Sequence, residues 1–156
     1  MELNVSDGAP TGPRVEGYDL DLSEFRSDAS PFDSWLGVQY DLLSPDRVEA
    51  HMDVRPDHHQ PYGIVHGGVL ASLVEGAGSV AGSLRALADG RVVVGVHNAT
   101  DFLRAVTRGR LDVVATPIHI GRTQQLWLVE ITREDGKLAA RGQLRLAVLD
   151  APPTGA

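Results

Sequence analysis

The 156-residue chain contains no cysteine. Disulfides, thiolate nucleophiles and cysteine-based zinc sites are therefore excluded, and any catalysis has to use Glu, Asp, His or Ser. Long apolar runs are also missing, because Gly, Ser, Glu or Arg interrupts each one well before the ~20 residues that a membrane span needs. No transmembrane helix is expected.

Basic residues are outnumbered, with 14 Lys and Arg against 21 Asp and Glu and a net charge of −7. The acidic excess lies in residues 1–57, which carry 4 basic and 13 acidic side chains. An acidic total argues against general nucleic-acid binding. A small anionic ligand remains compatible with this charge, provided that a few arginines gather around it.

The N-terminus has neither a basic leader nor an apolar segment of signal-peptide length, so a cytoplasmic protein is expected. Gly, Pro, Ser and Asp with little periodicity predict a flexible acidic leader over residues 1–30. Residues 31–150 have the length of one domain. The tail, residues 151–156, cannot continue a strand and is predicted to be disordered.

Hydrophobic periodicity predicts one long helix and six strands. The helix extends from Val69 to Ala88, where apolar residues recur with a period of 3.6. Two strands precede it between Trp35 and Val54, separated by the turn Ser44-Pro45-Asp46. Four β-rich runs follow it, roughly at 91–103, 110–120, 123–133 and 137–149, the last two joined by the turn Glu134-Asp135-Gly136.

Four consecutive strands with short connections favour an antiparallel sheet, because parallel pairing needs crossovers of a dozen or more residues. One sheet of about six strands has to cover one mainly apolar helix. We therefore expect an α+β domain in which the sheet wraps around a central helix.

The predicted helix opens at His66-Gly67-Gly68. Without side chains at Gly67 and Gly68, the first backbone N–H groups are open to a ligand, and the positive end of the helix suits an oxyanion or a polarised carbonyl. The alternative interpretation is that the glycine pair merely permits a tight turn from loop to helix.

Glu75 interrupts the apolar pattern of the helix. With Ser72, Ser79 and Ser83 it forms one small polar stripe, since these residues are three or four positions apart. The stripe is either exposed to solvent or set against another subunit. The small residues beside Glu75 argue against a solvated face, which normally carries several charged residues.

The length of the helix decides how these features can act together. Gly67 and Glu75 are separated by about 12 Å along the axis, too far for both to touch the same reacting carbonyl group. If both are catalytic, they come from different chains. This predicts a two-fold dimer in which the helix start of one subunit faces Glu75 of the other.

The segment HHQPYGIVHGGVLASLVEGAGS resembles the small hotdog-fold acyl-CoA thioesterases of the phenylacetate and 4-hydroxybenzoyl-CoA type. The segments HNATDFLRAVTRGRL, HIGRTQQLWLVEI and GKLAARGQLRLAV are similar to the strands that follow in that family. The resemblance covers about residues 36–149. It implies a hotdog fold, hydrolysis of an acyl-CoA to free acid and CoA, no cofactor, and a homodimer that pairs into a homotetramer.

The resemblance also implies roles for five residues. The Gly67 backbone N–H would polarise the thioester carbonyl, which Gln60 helps to orient and His66 supports. Glu75 of the facing chain would either attack the carbonyl carbon or activate a water, and Ser79 would hold that water or the departing group. The sequence does not decide between the two roles of Glu75.

For coenzyme A the matching positions are Arg104 and the pair Arg122-Thr123, because arginine forks suit phosphates. Ordinary strand-end arginines are the competing interpretation, and Ala105 replaces the proline that is common after Arg104 in that family. His97 and Asn98 are candidates for the acyl pocket, although a buried, hydrogen-bonded His97 is the simpler interpretation. The aromatic candidates for this pocket are Phe102, Tyr62 and Trp127.

Two other functions remain open on the same fold. Hydroxyacyl-thioester dehydratases or hydratases also carry a helix Glu, paired with a His on the preceding loop, where this chain has His59-Gln60. A non-catalytic acyl-CoA-binding protein is the second alternative. A metal site is not expected, because no histidine pair has the spacing of a helical ligand motif.

Overall fold

The computed structural model describes residues 13–17 and 30–151. Its elements, in chain order, are β1 (Arg14–Val15), α1 (Pro31–Leu36), β2 (Gln39–Ser44), β3 (Arg47–Asp53), a 3-10 turn (Pro56–His58), α2 (Gly67–Leu87), β4 (Val92–Phe102), β5 (Arg110–Ile120), β6 (Gln124–Arg133) and β7 (Leu138–Leu149). Most of the predicted leader and nearly all of the predicted tail lie outside the described residues. No helix in the described part of the chain is long and apolar enough to cross a membrane.

One seven-stranded sheet packs against α2, with the strand order β1-β2-β3-β5-β6-β7-β4. All neighbouring strands are antiparallel except β1, which pairs with β2 in parallel through two residues. The predicted α+β architecture, with an antiparallel sheet around one long helix, is confirmed. Strand β4 lies at one edge of the sheet and runs alongside α2.

The long helix and the six longer strands begin and end within about four residues of their predicted bounds. Three short elements, β1, α1 and the 3-10 turn, were not predicted. Helix α1 has clear end signals: the Ser30 hydroxyl caps the Asp33 N–H, Pro31 occupies the first turn, and Gly37 ends the helix with φ 79°. Six residues are too few for a hydrophobic period to appear, so only these caps could have indicated it.

The core lies between α2 and the face of the sheet that it covers. Along each central strand every second residue is buried, as expected for a sheet with one covered face. The fully buried side chains include Met52, Leu111, Trp127, Ile131 and Leu144. The 3.6-residue pattern of α2 supplies the opposite wall, with Leu73, Val74, Ala77, Ala81 and Leu84 all buried.

Gly82 allows the second half of α2 to approach the sheet closely. Its carbonyl accepts from Gln125 Nε2 at 3.4 Å, and Gln125 Oε1 accepts in turn from Trp127 Nε1 at 2.8 Å. A Cβ at position 82 would overlap Leu146 Cδ1 and lie 2.9 Å from Gln125 Oε1. Because these neighbours are buried, none of them can move freely away.

We predict that Gly82→Ala lowers the free energy of unfolding by about 1–3 kcal/mol, the usual cost of overpacking a core. Alanine is the better helix former by about 1 kcal/mol, so a gain in stability would contradict this packing. Urea denaturation at fixed protein concentration measures the effect. Ser83→Ala, at an exposed position of the same helix, is the matched control and should not lose stability.

Candidate active site

The loop before α2 is held by backbone hydrogen bonds that set the position of the helix start. The His66 N–H donates to His58 O at 2.8 Å, and the Val65 N–H donates to Val106 O at 2.8 Å. The Gln60 N–H donates to Ile64 O at 2.9 Å, which closes a tight turn. Gly63 has φ +74° in this turn, in the left-handed region that favours glycine. These bonds fix the positions of Gln60 and His66 at the N-terminal end of α2.

The start of α2 leaves one backbone donor open. His66 is the N-cap, and its Nδ1 accepts from the Gly68 N–H at 2.8 Å. Because Nδ1 accepts, the ring proton of His66 lies on Nε2. The Gly67 N–H has no acceptor among the described residues. The expectation that both glycine N–H groups are open is therefore wrong for Gly68, whose N–H is capped within the chain, and holds for Gly67.

A cavity of about 570 Å³ opens at this helix start. It brings together five of the predicted site residues, namely Gln60, His66, Gly67, Gly68 and Arg104. The remaining wall is mostly apolar and is formed by Ile64, Val65, Leu70, Ala71, Phe102, Leu103, Ala105 and Val106. Such a lining, with a few polar groups at one end, is typical of a site for a small organic ligand.

Of the three aromatic candidates for an acyl pocket, only Phe102 lines the cavity. Its ring lies against the helix start, where a Cβ at Gly67 would be 3.0 Å from Phe102 Cε2. Trp127 is fully buried in the core under α2, and Tyr62 is 87% exposed on the loop. Neither of these two side chains lines the cavity.

Glu75 does not line the cavity of its own chain. Its side chain is half-buried against the edge strand β4, where Glu75 Oε2 accepts from Asn98 Nδ2 at 3.0 Å. Glu75 is thus neither a freely solvated surface residue nor part of the Gly67 cavity. Asn98, predicted for the acyl pocket, contacts this carboxylate instead.

The other predicted residues lie apart from the cavity. Ser79 is half-buried one turn beyond Glu75, and its hydroxyl has no partner among the described residues. Arg122 and Thr123 are exposed in the β5–β6 turn, where Arg122 O accepts from Arg91, just past the C-terminus of α2. His97 is exposed on β4, so the interpretation of a buried His97 is wrong.

Sequence reasoning missed Gly95, which lies against Glu75, and Thr100, which holds Asn98. A Cβ at Gly95 would overlap Glu75 Oε1, and the Thr100 hydroxyl donates to Asn98 Oδ1 at 2.7 Å. The signal available was the spacing of Asn98 and Thr100, which puts both on one face of a strand. Which face meets the helix could not be read without the strand order.

A second carboxylate, Asp33 of α1, lies against α2 beside Gly76. A Cβ at Gly76 would be 3.2 Å from Asp33 Oδ1, and the Tyr40 hydroxyl donates to Asp33 Oδ2 at 3.5 Å. Burial raises the pKa of Asp33, against the hydrogen bonds from Ser30 and Tyr40 that lower it. Asp33 thus links α1 to β2 through Tyr40 and lies against α2 next to the turn that carries Glu75.

The described residues, 13–17 and 30–151, contain no group of three or more His, Asp or Glu side chains placed to hold a metal ion.

The chain matches a family model described as the thioesterase superfamily over residues 62–140. It is 47% identical over 125 residues to a Mycobacterium tuberculosis protein provisionally named as an esterase, covering 79% of this chain and 89% of that protein. The solved structure of that esterase covers 80% of this chain and all of its own, with a TM-score of 0.77.

Two further similarities point the same way. The proofreading thioesterase EntH of Cronobacter turicensis is 40% identical over 114 residues, covering 73% of this chain and 82% of EntH. A variant of the phenylacetic acid degradation protein PaaI from Thermus thermophilus is 27% identical, with a TM-score of 0.70, over 76% of this chain and 98% of its own. The predicted resemblance to hotdog thioesterases is confirmed.

The loop that precedes α2 also carries a buried histidine, from which we predict a pH effect on stability. His58 is fully buried, its Nδ1 accepts from the Arg55 N–H at 3.1 Å, and its ring lies edge-on to Trp35. Burial, followed by the charge of Arg55, lowers the pKa of His58 below its usual 6.5. The unfolded chain then binds a proton that the folded chain does not, so stability falls as the pH drops below about 6.5.

Thermal unfolding at pH 7.5, 6.5, 5.5 and 5.0 measures this effect. The fall in Tm on acidification should be smaller in His58→Gln, which cannot titrate. His119→Gln is the control, because His119 is exposed, and it should keep the wild-type slope. An unchanged slope in His58→Gln would contradict the assignment.

Proposed function

Because the chain belongs to the thioesterase superfamily and is a thioester hydrolase, we propose that its substrate is an acyl-CoA. We further propose that each active site combines Gln60, His66 and Gly67 of one chain with Glu75 and Ser79 of a second copy. The observation that carries this proposal is the separation of two groups on one helix: an unpaired Gly67 N–H inside the cavity and a Glu75 carboxylate outside it.

The Gly67 N–H is the oxyanion donor of the proposed site. It is the first N–H of a 21-residue helix, at the positive end of the helix dipole. His66 accepts from the neighbouring Gly68 N–H, so the Gly67 N–H is the one of these two donors that can bind a carbonyl oxygen in the cavity. Loss of a donor of this kind typically lowers kcat by about 10²–10³-fold.

Glu75 has to come from another chain. Eight residues at 1.5 Å rise set it about 12 Å from Gly67 along the same helix, whereas reacting atoms have to approach to about 3–3.5 Å. A two-fold axis generates two equivalent sites from one contact, since each chain then supplies both halves.

The edge strand β4 supports such a dimer. Its residues 95–99 are exposed, and β4 has an unpaired edge in the described sheet. If two copies of β4 pair antiparallel about an axis near Asn98, Phe102 of one strand lies close to Gly95 of the other. Within each chain Phe102 contacts Gly67 and Gly95 contacts Glu75, so this pairing brings the two halves of the site together.

Two routes hydrolyse the thioester with these parts. In the first, a Glu75 oxygen attacks the carbonyl carbon, the C–S bond breaks as the CoA thiolate leaves, and water then hydrolyses the anhydride. In the second, Glu75 takes a proton from a water that attacks the carbonyl, and the leaving thiolate receives that proton. Both routes develop negative charge on the carbonyl oxygen, where the Gly67 N–H acts. Ser79, one turn from Glu75, holds the water or the departing group.

The apolar wall of the cavity favours an aromatic or a short to medium acyl chain.

For the CoA phosphates we propose Arg104, which lines the cavity and whose Nη1 donates to Leu138 O at 2.7 Å. This bond leaves other guanidinium N–H groups for a phosphate. Arg122 and Thr123, at the far end of α2, remain proposed contacts for a more distant part of the nucleotide, and the exposed His97 remains a proposed contact for the acyl group.

Thiol release from acetyl-, octanoyl-, benzoyl- and phenylacetyl-CoA tests the reaction and the shared site together. The wild-type protein should hydrolyse at least one of the four, and Glu75→Gln should lose nearly all of this activity.

Gly67→Pro removes the N–H at the first helical position, where proline is tolerated, and His66 already has the extended ψ of 137° that a following proline requires. It should lower kcat by about 10²-fold or more, while Gly67→Ala, which keeps the N–H, should lose far less.

Co-expression of Glu75→Gln and Gly67→Pro chains with different tags then gives purified heterodimers. One of their two sites combines an intact Gly67 with an intact Glu75, so about half of the wild-type activity should return. Heterodimers as inactive as the parents would show that Gly67 and Glu75 act within one chain.

Arg104→Ala tests the phosphate contact. Loss of a charge-assisted hydrogen bond to the nucleotide should raise KM about tenfold or more with little change in kcat. Arg108→Ala is the control, because Arg108 is exposed in the same loop but does not line the cavity. Equal KM values for the two variants would contradict the proposed contact between Arg104 and the CoA phosphates.

A further inference from the structure

The two oxygens of Glu75 have different surroundings. Oε2 accepts from Asn98 Nδ2 at 3.0 Å, while Oε1 lies over the backbone of β4 at Gly95 and has no hydrogen-bond partner among the described residues. Any side chain at position 95 would overlap Oε1. The edge strand therefore holds one carboxylate oxygen and leaves room for the other.

Asn98 is itself fixed to the same turn of α2. Its Nδ2 donates to Ala71 O at 3.1 Å as well as to Glu75 Oε2. Ala71 is four residues before Glu75, so one amide group bridges the helix backbone and the carboxylate. With both acceptors satisfied by one NH₂ group, Asn98 has no donor left for a ligand.

Thr100 holds the Asn98 amide from the side opposite Glu75. The Thr100 hydroxyl donates to Asn98 Oδ1 at 2.7 Å. A flipped amide would set Oδ1 against the Ala71 carbonyl and the Glu75 carboxylate, which are both acceptors, so these two groups require Nδ2 to face them. The Thr100 hydroxyl then holds the amide at its other end, at Oδ1. Gly142 makes room for it, since a Cβ there would be 2.8 Å from Thr100 Oγ1.

A bulge in β4 makes this arrangement feasible. Residues three apart on a regular strand face opposite sides of a sheet, yet Gly95 and Asn98 both face Glu75. The pairing of β4 with β7 shifts register between Gly95 and His97. One extra residue at this point turns Asn98 toward the helix, in keeping with the use of bulges to re-aim side chains beside active sites.

We propose that Asn98, held in place by Thr100, is a positioning residue that holds Glu75 by Oε2 and leaves Oε1 to react with the thioester or its water. This inference rests on the proposed catalytic role of Glu75. Without the Asn98 amide, the Glu75 side chain samples other rotamers and the reactive oxygen is misplaced. Substrate binding should change much less, because both N–H groups of the Asn98 amide are used by Ala71 O and Glu75 Oε2 and none is left for a ligand.

The test measures kcat and KM with whichever of the four acyl-CoA substrates the wild-type protein hydrolyses fastest. Asn98→Leu should lower kcat about 30-fold, in the range expected for a lost hydrogen bond to a charged group, with KM changed less than threefold. Thr100→Val, which is isosteric, should lower kcat several-fold. Thr100→Ser, which keeps the hydroxyl, should restore most of the rate.

A double-mutant cycle shows whether Asn98 acts through Glu75. The residual rate of Glu75→Gln should be the same with and without Asn98→Leu, because the carboxylate that Asn98 positions is already gone. A further 30-fold loss in the double variant, or equal rates for Thr100→Val and Thr100→Ser, would overturn the inference. Full activity in Glu75→Gln would instead overturn the proposed function, so the two failures are distinguishable.

Discussion

The fixed rise of an α-helix is the constraint on which the proposed active site depends. Helix α2 carries an open donor at Gly67 and a carboxylate at Glu75, and about 12 Å of rigid helix separates them. Neither can approach the other, because buried side chains hold α2 against the sheet over its whole length. A thioester hydrolase that uses both groups on one carbonyl therefore needs a second copy of the chain.

Strand β4 connects this constraint to the rest of the fold. At the edge of the sheet it contacts both ends of the proposed site, through Phe102 at Gly67 and through Gly95 and Asn98 at Glu75. Its bulge turns Asn98 toward the Glu75 carboxylate on the face that meets α2. Its exposed residues 95–99 lie at the edge of the sheet, which remains available to another strand. The same strand would thus position a catalytic group and pair the subunits.

The sequence predicted the long helix, the six longer strands and the open Gly67 N–H, because these follow from local periodicity and from the absence of a side chain. It failed where the outcome depends on tertiary placement. The cap on Gly68 depends on the rotamer of His66, and the burial of His97 was misjudged because strand order, which puts β4 at the edge, is not a local property. The hydrogen bond from Asn98 to Glu75 also depends on the bulge in β4, and no residue type in the sequence indicates that bulge.

The crystal structure of the protein with a carba analogue of its best acyl-CoA substrate tests the central claim most directly. In this analogue a methylene group replaces the thioester sulfur, so the carbonyl is retained but cannot be hydrolysed. We predict a carbonyl oxygen about 2.9 Å from the Gly67 N of one chain and a Glu75 oxygen of the other chain within about 3.5 Å of the carbonyl carbon or of a water beside it. A carbonyl bound at Gly67 with no Glu75 of a second chain nearby would contradict this claim.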